Sequence, residues 1–182
     1  FSPTSLNFAL GMIAEGAKGE TKEVLCNYLG TDDFASYAKE YLNKIKEYNT
    51  EDESYGYKSK LKIADAVWVD NNLTLQEEFK NSVTNGFGAE VENVDFSAAE
   101  KTCGIINSWC DKNTEGLTPK IITPDLINDT TGLCLTNSLY FESGWSGEPW
   151  NVSDTEEKFG NNEKTKYMTC AGDRYYENDK AT

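Results

Sequence analysis

No histidine occurs anywhere in the chain, so neither a Ser-His-Asp nor a Cys-His nucleophile can be assembled from it. The five cysteines, Cys26, Cys103, Cys110, Cys134 and Cys170, contain no C-x-x-C, and no histidine is present to complete a zinc set. An odd count leaves at least one thiol free or paired elsewhere. Cys103 and Cys110 are separated by about two helical turns, too far for a bridge within one straight helix, and read as small buried or half-buried residues. A carboxylate pair could serve acid–base hydrolysis, but with 31 acidic residues chance pairs carry little weight. No glycine-rich phosphate loop occurs. Asn72-Leu73-Thr74, Asn128-Asp129-Thr130 and Asn151-Val152-Ser153 are glycosylation sequons at close to the chance rate, relevant only in a secretory source. Chemistry on a bound substrate is therefore not where the informative polar residues point. Those residues are Ser2, Ser5 and Asn137. Asn137 interrupts an apolar strand face, and a buried amide without partners costs about 1–3 kcal/mol. It is expected to hydrogen-bond, with Ser2 or Ser5 as the natural partners.

The elements that must position these residues are legible in the pattern. Leu6, Ala9, Leu10, Ile13 and Ala17 follow helical spacing. Ser2 suits the cap and Pro3 the first helical position. Ala9, Gly11 and Ala14 let this helix approach other backbone closely, as a helix beneath a sheet must. A turn over 16–21, with Thr21 as cap, leads to a short helix bearing Val24, Leu25, Tyr28 and Leu29 and ended by Gly30. Asp32 and Asp33 can cap a third helix, with Phe34, Tyr37, Ala38, Tyr41, Leu42 and Ile45 on one face. An acidic loop covers 49–56.

Residues 61–69 are nearly continuous in apolar character, which fits a strand covered on both faces. Asp65 interrupts that run. If buried, it needs donors or a raised pKa; the other reading is an edge position near solvent. A helix follows at Leu75, Phe79 and Val83, then a strand within 89–96. Ser97 is placed to cap a longer helix carrying Cys103, Ile106, Trp109, Cys110 and Asn113. Pro119, Pro124 and Asp125 mark a turn-rich connection. Leu133, Leu135, Asn137, Leu139 and Phe141 then alternate with Cys134, Thr136, Ser138 and Tyr140 as the two faces of a long strand. Lys164 to Tyr176 reads as a strand and a turn.

The composition sets outer bounds. With 38% hydrophobic and 12% aromatic residues in 182, the chain can bury a sizeable core. A net charge of -14 argues against nucleic acid as a partner and fits a soluble surface. No apolar run has the length of a membrane span. There is no internal repeat and no low-complexity segment.

Several segments, in order, resemble the serpin family. Phe1-Ser2-Pro3-Thr4-Ser5-Leu6 is similar to its FSPxSI, and Gly16 to Thr21 to its GAxGxT. Ile63 to Trp68 is similar to IANAxW, with Asp65 where Asn is usual. Asp95-Phe96 matches the end of its VDF. Ile106-Asn107-Ser108-Trp109 with Thr114-Glu115-Gly116-Leu117 resembles INxWV…TxGxI. Asn137 to Trp145 resembles NAxYFKGxW, and Pro149-Trp150, Thr155 and Phe159 its WxxPF…T…F. The resemblance implies an α+β fold, with helices packed on part of a large central β-sheet. Residues 1–182 would be a single partial domain, the N-terminal half of that fold. Because the chain opens inside a motif, an upstream signal peptide stays open.

In serpins the residues matching Ser2, Ser5 and Asn137 form the polar cluster where the main sheet parts. Trp145 matches the Trp at the top of that sheet, where the loop begins to enter. The helix with Asn107 and Trp109, leaving through Thr114 and Gly116, would be the gate that shifts. The implied activity is not enzymatic. A protease cleaves an exposed reactive loop and forms an acyl-enzyme, and the loop inserts into the sheet and carries the protease with it. The native fold is metastable and supplies the driving force. Residues 131–142 would be a strand against which the loop pairs. The loop and its reactive bond are expected beyond Thr182.

The implied partners are a serine protease, with a cysteine protease as second choice, and the complementary C-terminal half. No nucleic acid, membrane, metal or cofactor is expected, and the compartment implied is extracellular. On some serpins the third helix binds a polyanion, but here Lys39, Lys44 and Lys46 are mixed with Glu40 and Glu47, which argues against it. A non-inhibitory carrier, chaperone or storage protein is the alternative; an acid–base hydrolase on an unrelated fold and an inactive half-domain are more distant ones. Ser138 in place of Ala, and Glu142-Ser143 in place of Lys-Gly, are mild departures from the family pattern.

Overall fold

The computed structural model describes residues 2–49, 59–143, 151–159 and 163–169. Three helices come first: α1 (Pro3–Gly16), α2 (Gly19–Leu29) and α3 (Phe34–Tyr48). Strand β1 (Ser59–Asp70), helix α4 (Glu77–Phe87), strand β2 (Glu90–Val94) and helix α5 (Ala99–Asn113) follow. A short 3-10 turn at Pro124–Leu126 leads to β3 (Leu133–Ser143), then to the hairpin strands β4 (Asn151–Phe159) and β5 (Glu163–Thr169).

Local chemistry explains most boundaries. Ser2 Oγ accepts the Ser5 N–H at 3.2 Å, and Pro3 sits where no helical hydrogen bond is lost. Asp33 caps α3 by accepting from the Ser36 N–H. Gly30 ends α2 in the left-handed region, at φ 75°. Two expected caps are corrected. Helix α2 begins already at Gly19 with Lys18 at its N-cap, so Thr21 lies inside the first turn. Ser97 does not cap α5: its N–H and hydroxyl both donate to Asp95 Oδ1, and Ala98 takes the cap position with no side-chain bond. The nearer carboxylate wins the serine, forming an Asx turn instead.

The main sheet has the order β2-β1-β3, with β1 parallel to β2 and antiparallel to β3. The β1–β3 register runs without a break from Ser59 opposite Ser143 to Val69 opposite Leu133. Each face has its own core. On one side Phe8 and Met12 of α1 meet Val67, Val69, Phe34, Val83 and Phe87. Gly11 is needed there, because a Cβ on it would lie 2.2 Å from the Phe34 ring. On the other side α5 lays Cys103, Ile106, Trp109 and Cys110 over Ala66, Trp68, Val94 and Phe96. The Trp68 and Trp109 rings meet edge to face at 6.1 Å.

β1 is thus covered on both faces, most completely from Asp65 to Val69. β3 alternates as expected, but its ends are open: Leu133 is 40% exposed and Phe141 64%. The more buried set is the polar one, Thr136, Ser138 and Tyr140, because that is the face under α5.

Candidate site: a polar seam between two strands

β1 and β3 carry their polar chemistry as cross-strand pairs. Asp65 and Asn137 stand directly opposite each other, on the face shared with Val67 and Leu135, toward α1. Asn137 Nδ2 donates to Asp65 Oδ1 at 2.8 Å. This corrects the expected partnership of Asn137 with Ser2 or Ser5. Ser2 is occupied as the α1 cap, and among the described residues neither serine bonds Asn137. The two readings of Asp65 are also resolved. It is 2% exposed, at the centre of the sheet rather than at an edge.

The pair is incompletely satisfied. Asp65 Oδ2 and Asn137 Oδ1 are buried with no hydrogen-bond partner among the described residues, and so is Ser138 Oγ on the opposite face. Burial pushes the Asp65 carboxyl from its ordinary 3.8 up to about 7, and the bond from the Asn137 amide, the smaller cause, pulls the other way. Near neutral pH the group is divided between its two forms.

One position along β3 toward its start and three along β1, on the α5 face, a second pair contrasts with the first. Trp68 Nε1–H donates to Thr136 Oγ1 at 2.9 Å, fully buried. Here an obligate donor meets a hydroxyl that can accept, so nothing is left over.

Helix α5, whose residues were singled out as a gate, is bound mostly to its own exit. Asn107 Nδ2 donates to Ile122 O, while its Oδ1 accepts from the N–H groups of Ile121 and Ile122. Thr114 Oγ1 donates to Cys110 O and accepts from the Thr118 N–H. Gly116 takes φ 81°, a conformation other residues rarely adopt, and returns its N–H to Asp111 O. Toward the sheet α5 has an apolar underside and, among the described residues, one polar tie, from Trp109 Nε1–H to Glu90 Oε1 at 3.0 Å. A second tie follows its last turn, Lys60 Nζ to Glu115 at 2.7 Å. Both ties escaped the sequence reading, since nothing local marks Glu90 or Lys60. Trp145, expected at the top of the sheet, lies outside the described residues.

No strand pairs with the far edge of β3 among the described residues. Beside its start lies an open groove of about 540 Å³ between α1, α4 and the strand, lined by Met12, Ile13, Phe79, Leu133 and Leu135. Burial raises the pKa of Cys103, Cys110 and Cys134, which makes them poor nucleophiles. Among the described residues no group of three His, Cys, Asp or Glu side chains could hold a metal. No helix among them is long and apolar enough to cross a membrane.

A family model described as serpin (serine protease inhibitor) matches residues 1–180. Serpin-ZXA of Oryza sativa subsp. japonica is 34% identical over 158 residues, covering 86% of this chain and 40% of that protein. Human neuroserpin is 32% identical over 153 residues, covering 81% and 36%. The native stressed conformation of Arabidopsis AtSerpin1 superposes with a TM-score of 0.77 at 28% identity, over 93% of this chain and 44% of that one. Emu ovalbumin shares the fold with a TM-score of 0.76 at 18% identity, over 92% and 47%. The chain spans less than half the length of these relatives.

Proposed function

The chain belongs to the serpin family, and from that premise we propose that the whole protein inhibits a serine-type protease, with a cysteine protease as the second choice of target. Residues 1–182 are then the N-terminal half of one domain, completed by a C-terminal half that carries the reactive loop. Cleavage of that loop would let it pair as a new strand along β3.

The observation that carries this reading is the pairing of an open β3 edge with a polar seam just behind it. An incoming strand needs unpaired backbone groups to bond, and among the described residues no strand pairs with the far edge of β3. The seam behind that edge must yield without breaking the core. Asp65 and Asn137 hold it with a single side-chain bond and two orphaned acceptors. Helix α5 lies over the opposite face with, among the described residues, two polar ties to the sheet, at Glu90 and at Lys60. Such a helix can lift as a unit, because Asn107, Thr114 and Gly116 keep its exit attached to it rather than to the strands. Ser2 and Ser5 act one step back, by fixing the start of α1 under the seam. Trp145 belongs to the same proposal as the entry point of the loop.

The complementary half has surface to cover. Leu6, Ile13, Val24 and Tyr28 on α1 and α2 are exposed apolar residues, and Ile13 also lines the groove beside β3. An extracellular site of action is part of the same reading, checked by recovering the protein from the medium. The decisive experiment mixes the intact protein with a panel of serine and cysteine proteases. A covalent complex that survives detergent is the expected result. Cleavage of the protein with no retained complex would overturn inhibition and leave a carrier, chaperone or storage role.

A further inference from the structure

The pair at the centre of the seam is short of one hydrogen. Asn137 Nδ2 supplies a bond to Asp65 Oδ1, while Asp65 Oδ2 and Asn137 Oδ1, one from each member of the same pair, are both buried acceptors with no donor among the described residues. A proton on Asp65 Oδ2 turns that atom into a donor. Directed at Asn137 Oδ1, it completes a ring of two reciprocal hydrogen bonds between acid and amide. Loss of the proton leaves one bond and two opposed acceptors in a dry sheet.

We propose that Asp65 and Asn137 form a proton-operated latch between β1 and β3, closed when the Asp65 carboxyl is neutral and loosened when it ionises. This rests on the reading that the sheet opens at β3 and adds its regulation by pH.

The surroundings leave the latch to the proton alone. On the same face β1 presents Ile63 and Val67, and β3 presents Leu135 and Leu139, none of them titratable. α1 contributes Phe8 and Met12; its one charged side chain, Glu15, is in the last turn and accepts from Ser82 Oγ. α3 contributes Tyr41 and Leu42, while its Lys39, Glu40, Lys44, Lys46 and Glu47 are exposed. α4 contributes Val83, Phe87 and Phe79, with Glu77, Glu78 and Lys80 exposed. Among the described residues no cation is at hand to hold the carboxylate. Burial therefore sets its pKa near 7. In a chain without histidine, Asp65 occupies the titration range that histidine usually serves.

The sign follows from linkage. A carboxyl whose folded pKa is raised binds its proton more tightly in the native state. Its contribution is complete below the ordinary 3.8 and is lost as pH rises through about 7. Between about pH 5 and about pH 9 the folded-to-unfolded ratio should fall about a hundredfold from this group.

The test compares the intact protein with its Asp65→Asn variant, whose amide can donate to Asn137 Oδ1 at every pH. Thermal midpoints across that range should fall in the parent and stay nearly level in the variant. The parent's infrared spectrum should also show a protonated-carboxyl band that disappears near neutral pH, absent from the variant. An equal fall in both proteins, or a band already gone at about pH 5, would overturn the latch. If the variant fails to fold, the parent's band decides alone. Protease trapping is scored in parallel. A level variant in a protein that traps nothing leaves the latch standing and removes the inhibitor reading. Trapping with an unchanged fall in the variant removes the latch only.

Discussion

Two polar contacts join the same two strands, and they are built to opposite specifications. On the α5 face, Trp68 and Thr136 match donor to acceptor at 2.9 Å beneath a second indole. On the α1 face, Asp65 and Asn137 share one bond at 2.8 Å and strand two acceptors. The first is a fixed clamp whose strength depends on packing and on a group that does not titrate near neutrality. The second changes character with one proton. Under the proposed function, a sheet that must hold its core and yet admit a strand uses both kinds of join. The comparison places the proton-dependent one on the face away from α5.

The largest effect should come from the clamp. Trp68→Ala removes a fully buried indole and should cost about 4 kcal/mol in unfolding free energy, equally at acid and alkaline pH. A strong pH dependence of that loss would erase the distinction between the pairs. Asn137→Ala should cost roughly 2 kcal/mol at neutral pH. The latch gives the neutral acid more from Asn137 than the carboxylate gets, so removing Asn137 should also move the midpoint of the pH-dependent loss downward, readable in denaturant titrations at several pH values; an upward move would mean that the one Asn137 bond, which holds the Asp65 pKa down, outweighs the second. Thr136→Val, which leaves the Trp68 N–H without its acceptor, should cost about 1 kcal/mol at any pH. Ser138→Ala sharpens the comparison from the other side. It deletes a buried hydroxyl with no partner and should raise stability by up to about 1 kcal/mol, again without pH dependence.

Much of the frame was legible because it is local. The Ser2-Pro3 start of α1, the Asp33 cap, the Gly30 stop and the alternation along β3 each depend on residues within a turn or two of one another. The α+β class and the family followed from motifs that persist through such elements. The misreadings have one physical origin, competition between partners that sequence spacing does not rank. Ser97 was close enough to cap α5 but closer to the Asp95 carboxylate. Asn137 was rightly expected to need a partner, yet the partner lies 72 residues away. Only the β1–β3 register brings them opposite. Asp65 was visible as an interruption in an apolar strand. That it and Asn137 answer the same shortage was visible only across the ladder.

The claim that one join is proton-dependent and the other is not can be measured with two double-mutant cycles in the intact protein. One pairs Asp65→Ala with Asn137→Ala, the other Trp68→Ala with Thr136→Ala, each at about pH 5 and about pH 9. The account predicts a coupling energy of about 1–2 kcal/mol between Asp65 and Asn137 at the acid pH that largely vanishes at the alkaline one, beside a Trp68–Thr136 coupling that stays constant. Couplings that respond alike to pH, or an Asp65–Asn137 coupling that grows as the carboxyl ionises, would contradict it.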